Sequence, residues 1–431
     1  MTLVSRTQTL PVLPLAAPAA PPLAAPTAPP LAAPTAPPLA APTAPAVDRR
    51  EIALKFLVPE VVFGVGTIGE VGDAVRRMGG SRALVVTDEG VLAAGWADRA
   101  VHHLHAAAVD LRVWHGVTPN PKDHEVEAGL EAFLESGCDI VVAVGGGSCI
   151  DAAKAVAILS GGGGRIADYA GIDRVRAPVP PLVMAPSTAG SGADVSQFCV
   201  ITDTTRRLKM TIADRAVVPN ISVVDPTLLT TMSPELTAYT GIDALSHAVE
   251  AYVSLAANFL SDGYALAAVR AIAEHLPAAV ERPTLEARVA LARASLQAGL
   301  AFGNALLGAT HAISHQIGGY LDLPHGLLNA ILLPHVIRFN ALSCPDRYVP
   351  VAAAMGVPAE HCRPDEVGDA LAERVRLLAD LVGVPSGLGS LGVCEQDLPR
   401  FAQQALSDAY ITTNPRPVSG PDLESICRAA L

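Results

Sequence analysis

Four histidines and an aspartate stand out in a stretch otherwise rich in Ala and Leu. Asp243 and His247 are four residues apart in GIDALSHAVEAYVS, and so are His311 and His315 in GATHAISHQIGG. Side chains at i and i+4 leave one face of a helix together. His325 follows in LPHGLLNA, where Pro and Gly mark a loop. A divalent metal takes deprotonated carboxylate and neutral imidazole donors. One carboxylate with several imidazoles suits iron(II), zinc or cobalt rather than calcium or magnesium. Any one of these histidines taken alone fits a hydrogen-bonded core residue. Two such pairs and a loop histidine in one segment favour a metal site. His102, His103 and His105 read as surface residues on a polar helix face, and His335 in LLPHVIRFN as structural.

Three glycine-rich stretches offer room for a phosphate. Gly64-Val65-Gly66-Thr67-Ile68-Gly69 has the GxGxxG spacing, and Asp88 follows at about the 20 residues a dinucleotide fingerprint asks. That spacing alone is weak, and a tight turn explains it as well. Gly145-Gly146-Gly147-Ser148 lies between the apolar run DIVVAV and the helix-like CIDAAKAVAIL. Consecutive glycines let backbone N–H groups approach a pyrophosphate, and the following helix offers its positive end. Asp151 and Lys154 are expected as polar groups in that helix's first turn. The third stretch, PSTAGSG from Pro186 to Gly192, places small hydroxyls after LVMA, suited to a cofactor or substrate oxygen. Three such loops after three successive strands weigh more than any one.

The elements that must hold these residues fall into two kinds. RALVVTD (82–88), DIVVAV (139–144), LVMA (182–185) and SVVD (222–225) read as strands, with helices at 125–136 and 150–159 between them. Such alternation predicts a mostly parallel sheet covered on both faces, with ligands beyond the carboxyl ends of its strands. After Pro226 the strand signals stop. Helical periodicity runs from there to Leu431, with turns expected at Pro277, Pro324, Pro345 and Pro385. The division is therefore a disordered Pro/Ala-rich repeat tail (1–47), an α/β dinucleotide-binding domain (48–225) and an all-helical metal-binding domain (226–431). In the tail, PLAAPAAP at 14–21 is followed by PLAAPTAP at 22–29, 30–37 and 38–45. Such uncharged Pro-rich sequence favours an extended conformation and cannot build a core.

Half of the 431 residues are hydrophobic and 17% are charged, which supplies a large core. The net charge is −12 and no basic stripe occurs, so nucleic acid is not an expected partner. No apolar run reaches the ~18 residues a spanning helix needs, and no membrane partner is expected. Prolines interrupt the apolar N-terminus, against an export signal. The seven cysteines are odd in number, scattered and without a C-x-x-C. That argues against a disulfide framework or zinc ribbon and for a reducing, cytoplasmic compartment.

GGGSCIDAAKA, PSTAGSGADVS, the Asp243…His247 helix and THAISHQIGGYLDLPHG together resemble signature stretches of the iron-containing (group III) alcohol dehydrogenases. VTPNP at Val117–Pro121 and the segment from Lys209 to Asp225-Pro226 are similar too. The resemblance keeps order and spacing from about Phe56 to the C-terminus and leaves out the tail. It implies a Rossmann-like parallel-sheet α/β domain followed by an all-α domain, the dehydroquinate synthase-like fold. It further implies that Asp243, His247, His311 and His325 bind iron(II), with zinc as the alternative ion. His315 would then sit beside the nicotinamide as an orienter or proton shuttle. The residue spacing alone leaves the choice among these five open.

By the same resemblance the cofactor pyrophosphate lies on Gly146, Gly147 and Ser148, which leaves Gly64–Gly69 as a turn. Asp88 would meet the adenosine ribose, and its charge would repel a 2′-phosphate, favouring NAD over NADP. Asn120, Asp151, Thr188, Ser191 and Lys209 would complete the cleft. The family's loop is close to TTAGTGSE. Here Ser187 and Ser191 keep the hydroxyls, while Ala193 and Asp194 are shorter side chains. The implied activity is reversible hydride transfer between nicotinamide and a small alcohol, aldehyde or ketone, with the metal as Lewis acid. A homo-oligomer is expected from the family. Two alternatives use the same ligands: a zinc-type glycerol dehydrogenase-like enzyme, and a metallohydrolase, which has no need of three cofactor loops.

Overall fold

The computed structural model describes residues 55–358, 362–363 and 366–431. The repeat tail and its expected disorder lie outside these residues. The sheet is built around β4 (Ile140–Gly145, IVVAVG), which is buried along its whole length, as a strand covered on both faces must be. Beside it run β2 (Arg82–Val86) and β6 (Leu182–Pro186). Beyond these, β9 (Ile221–Val224) and β1 (Glu60–Phe63) extend one side and β3 (Asp110–Trp114) the other. The order is β1-β9-β6-β4-β2-β3, parallel at every pairing. The four inner strands are the four expected from sequence. The edge strand β1 is the apolar run that leads into the Gly64–Gly69 turn, whereas β3 has no counterpart in the sequence reading, because its half-exposed run DLRVW lacks a continuous apolar signal.

A smaller sheet joins β5 (Gly171–Ile172), β8 (Leu208–Ala213) and β7 (Phe198–Asp203), with β7 and β8 antiparallel. Its hairpin carries Lys209 and is also absent from the sequence reading. Around the sheets lie α1 (Val71–Arg77), α2 (Glu89–Ala93), α3 (Trp96–Ala106), α4 (Asp123–Glu135) and α5 (Gly147–Gly162).

After β9 the described residues form helices and loops alone. The helices are α6 (Pro234–Val253), α7 (Phe259–Glu281), α8 (Leu285–Ala305), α9 (Ala309–Leu321), α10 (His325–Ala341), α11 (Pro345–Ala354), α12 (Val367–Leu381), α13 (Leu398–Ala405) and α14 (Gly420–Ala429). Pro324 caps α10 and Pro345 opens α11, positions where a missing N–H costs nothing. Pro277 corrects an expectation: it lies inside α7 and ends no helix.

Asp225, at the change from strand to helix, accepts from Thr227 N at 2.9 Å and from Gly66 N and Ile68 N at 3.1 Å each. Those amides of the Gly64–Gly69 turn are committed to a carboxylate of the chain itself. They are not free to hold a phosphate, so the GxGxxG spacing marks a turn.

Candidate metal centre and cofactor cleft

Three helices bring the metal candidates together. Ser233-Pro234 opens α6, with the serine side chain accepting from Leu236 N, a favoured cap and first-turn pairing. Asp243 and His247 then project from one face of α6, and His311 and His315 from the first turns of α9. His325 is the first residue of α10. A Cβ on Gly326 would lie 2.3 Å from Tyr239 O and 3.2 Å from Asp243 Cβ. The missing side chain lets the start of α10 rest on α6 and puts His325 beside Asp243. One donor atom each from Asp243, His247, His311 and His325 lies within 4.8 Å of the others. Metal–donor bonds of about 2.1 Å would draw these donors inward around one shared ion. Nδ1 of His247, buried, has no hydrogen-bond partner. Three imidazoles and one carboxylate are donors that iron(II) and zinc accept, and the residues fit such an ion.

The charges support that fit. Burial works against an ionised Asp243, but His247, His325 and His311 hold its carboxyl far below the usual range. Burial pushes His247 down to about 4 and His325 well below its ordinary value. Burial opposes charge on His311 as well, yet the carboxylates of Asp243, 3.8 Å from Nε2, and Glu250, 2.5 Å from Nδ1, raise it to about 9. A positive charge is thus favoured between these carboxylates, and a metal must displace a proton to take its place.

His315 is the histidine outside the cluster. Its Nδ1 lies 2.9 Å from Asp408 Oδ2, and both side chains are 3% exposed. Three residues at this centre escaped the sequence reading. Glu250 sits 2.5 Å from His311 Nδ1. Asn329 Nδ2 lies 2.7 Å from Asp243 Oδ1, 3.0 Å from His311 Nε2 and 3.1 Å from His325 Nε2. Asp408 is the third. Glu250 and Asn329 had a usable signal, being three residues after His247 and four after His325. Asp408 had none.

The glycine loop runs directly off the carboxyl end of β4 into α5. A Cβ on Gly147 would fall 2.7 Å from Ser191 Cβ, and one on Gly146 would fall 3.2 Å from Thr188 Cγ2. The second and third loops are thus in contact, and bare backbone keeps the space between them open. Asp88 caps α2 by accepting from Val91 N at 2.8 Å, and it also accepts from Cys149 Sγ at 3.1 Å. A Cβ on Gly145 would lie 3.9 Å from its Oδ2, so Asp88 sits beside the start of the glycine loop. Asn120, in the left-handed region at φ 55, donates to Asp322 Oδ1 at 2.8 Å and to Leu323 O at 3.3 Å. It ties the sheet side of the cleft to the turn before His325.

Lys154 departs from expectation. It is 0% exposed, and its ammonium donates to the carbonyls of Ala193, Ser196 and Phe198 at 2.6, 2.8 and 2.8 Å. It lies past the first turn of α5, which begins at Gly147, and clamps the segment after the third loop onto that helix. Asp194 likewise points away from the cleft, accepting from Ser222 Oγ at 2.7 Å.

The glycine loop and the metal candidates border one cavity of about 120 Å³, lined by Asn120, Gly147, Ser148, Asp151, Ser191 and Lys209 on one side and by Asp243, His247, His311, His315 and His325 on the other. Phe198, Phe302, Leu307 and Tyr410 supply apolar wall. Enclosure pushes Asp151 up to about 7 and Lys209 down to about 8. Asp88, Gly146 and Thr188 do not line the cavity.

Known proteins match this arrangement along nearly the whole described chain. The family model for iron-containing alcohol dehydrogenase matches residues 59–226. The model for the C-terminal part of the Fe-containing alcohol dehydrogenase family matches 237–431. A 1,3-propanediol dehydrogenase of Citrobacter freundii is 41% identical over 379 residues, 87% of this chain and 98% of that protein. An NAD-dependent methanol dehydrogenase of Bacillus methanolicus is 36% identical, covering 87% of this chain and 99% of that one. The crystal structure of a 1,3-propanediol oxidoreductase superposes with a TM-score of 0.84 at 40% identity, covering 88% and 99% of the two chains. These matches favour an alcohol dehydrogenase over the glycerol dehydrogenase-like and metallohydrolase alternatives.

Proposed function

From the premise that the chain belongs to the iron-containing alcohol dehydrogenase family, we propose that it interconverts a short primary alcohol or diol and its aldehyde, with NAD as the hydride carrier. The single observation that carries this reading is the shared cavity: four converging metal donors face a bare glycine loop across it. Asp243, His247, His311 and His325 are assigned to iron(II), which zinc could replace in the same donor set. Gly146, Gly147, Ser148, Thr188 and Ser191 are assigned to the pyrophosphate and nicotinamide end of the cofactor, and Asp88 to the adenosine ribose. NAD is preferred to NADP because Asp88 is an anion where a 2′-phosphate would lie.

A bound divalent ion supplies Lewis acidity toward an alcohol or carbonyl oxygen, and the nicotinamide takes or gives the hydride. The chain's own residues do the rest. Asp408 accepts from His315 Nδ1, so Nε2 is left as the acceptor for a hydroxyl proton. Lys209 and Asn120, which line the cavity, would hold the nicotinamide half toward the helices and so align donor and acceptor carbons. Phe302 and Leu307 keep water from the reacting end. Of the small alcohols, 1,3-propanediol is the first choice, on the strength of the 41% identical relative that acts on it.

We place the boundary between the cofactor and metal domains at Asp225-Pro226. We take the protein to be a cytoplasmic homo-oligomer; seven cysteines free of disulfides support the compartment, and the family resemblance supports the assembly. NADH formation across methanol, ethanol, 1-propanol, 1,2-propanediol and 1,3-propanediol tests the substrate assignment. Highest kcat/KM on 1,3-propanediol is expected. A preference for methanol would replace it, and no turnover of any alcohol or its aldehyde would contradict the reading.

A further inference from the structure

The face of α6 that carries Asp243 and His247 continues for one more turn to Glu250. This side chain is 3% exposed and lies behind His311, away from the cavity. Both of its oxygens are engaged: Oε2 lies 2.5 Å from His311 Nδ1, and Oε1 accepts from Thr310 N at 2.7 Å. Space for it depends on Gly308, where a Cβ would fall 3.1 Å from Glu250 Oε1 and 2.7 Å from Asn414 Oδ1. A buried carboxylate packed this tightly requires a compensating charge. Among the described residues its ion-pair partner is the proposed metal ligand His311.

We infer that Glu250 is a positioning residue of the metal centre: it holds His311 with a proton on Nδ1 and Nε2 free for the ion, and it adds a second negative charge beside a divalent cation. The inference rests on the ligand assignment above. A ring nitrogen against a carboxylate must be the protonated one, which settles the tautomer. The opposite nitrogen, Nε2, faces Asp243 Oδ1 at 3.8 Å and so points into the donor cluster. With neutral imidazoles, Asp243 alone would leave a buried divalent ion with one uncompensated charge. Asp243 and Glu250 together cancel it. A carboxylate behind the imidazole also makes His311 a stronger donor.

The competing account is that Glu250 merely caps the first turn of α9 through Thr310 N–H. Glutamine separates the two, because it keeps the carbonyl acceptor and loses the charge. The experiment titrates Co2+ into metal-stripped full-length protein against a chelator. It compares the parent with Glu250→Gln and Glu250→Ala and records the visible spectrum of bound Co2+. NADH binding serves as the check on folding. Both variants are expected to bind Co2+ about 10- to 100-fold more weakly, with a shifted spectrum and unchanged NADH affinity. A Gln variant with the parent's affinity and spectrum overturns the inference, whatever the Ala variant does. A parent that takes up no Co2+ overturns the ligand assignment along with it.

Discussion

Gly147 and His311 line the same cavity and contribute to it in opposite ways. Gly147 contributes by having no side chain: a Cβ there would sit 2.7 Å from Ser191 Cβ. His311 contributes through its ring, held by Glu250 on one nitrogen and turned to Asp243 with the other. The difference extends to the halves they belong to. On the sheet side, strand ends bring backbone N–H groups and small hydroxyls to the cleft, and function is a matter of keeping space empty. On the helical side, i and i+4 spacing stacks charged and imidazole side chains, and function is a matter of keeping buried charge balanced. The first arrangement fails when something is added, and the second when something is taken away.

That contrast predicts separable defects. His311→Ala should cost several kcal/mol of Lewis-acid stabilisation, about three decades in kcat/KM, with NADH affinity within about twofold of the parent. Gly147→Ala should do the reverse, weakening NADH binding by at least about tenfold through steric overlap near a pyrophosphate, while metal content stays the same. Fluorescence titration of NADH and metal analysis on the same preparations check both. Loss of both ligands in either variant would mean that the halves are not separable.

A smaller effect concerns Lys209, the buried cation that lines the cavity on the sheet side. Burial pushes it down to about 8. The ammonium is present below that pH and lost above it, so attraction for the anionic cofactor should decline as pH rises through about 8. NADH affinity measured from pH 6 to about 10 should show that fall in the parent, whereas Lys209→Met should bind weakly without it. An identical profile in the variant would assign the pH dependence to another group. The smallest effect is expected from Asp408→Asn. Asparagine can still accept from His315 Nδ1, so kcat should drop by about tenfold with metal content unchanged. An unchanged kcat would relieve the pair of any part in proton transfer.

The two halves were unequally legible. The inner strands could be read from continuous apolar runs such as IVVAVG, and the glycine loop from its place between such a run and a helix. The hairpin that carries Lys209 could not, because its residues pair with each other and with β5 through contacts no local pattern encodes. In the helical half, spacing brought out five candidates but could not separate His315 from the rest. The separation is a tertiary matter: Asp408, 93 residues further along, engages Nδ1 of His315, and His315 is not among the four converging donors. Glu250 continues the spacing of Asp243 and His247, yet an acidic residue on a helix ordinarily faces solvent, and only packing against α9 buries it. Lys154 shows the converse. Its position after a glycine loop marks it as a polar group near the helix start, and the carbonyls of Ala193, Ser196 and Phe198 claim its ammonium.

The central claim is that metal donors and cofactor loop serve one reaction in one cavity. The most direct measurement strips the protein of metal, confirms that NADH still binds, and follows NADH formation from 1,3-propanediol as Fe2+ is returned. The account predicts no turnover without metal and activity that rises to saturation at one ion per chain. Full turnover by metal-free protein that binds NAD would contradict it.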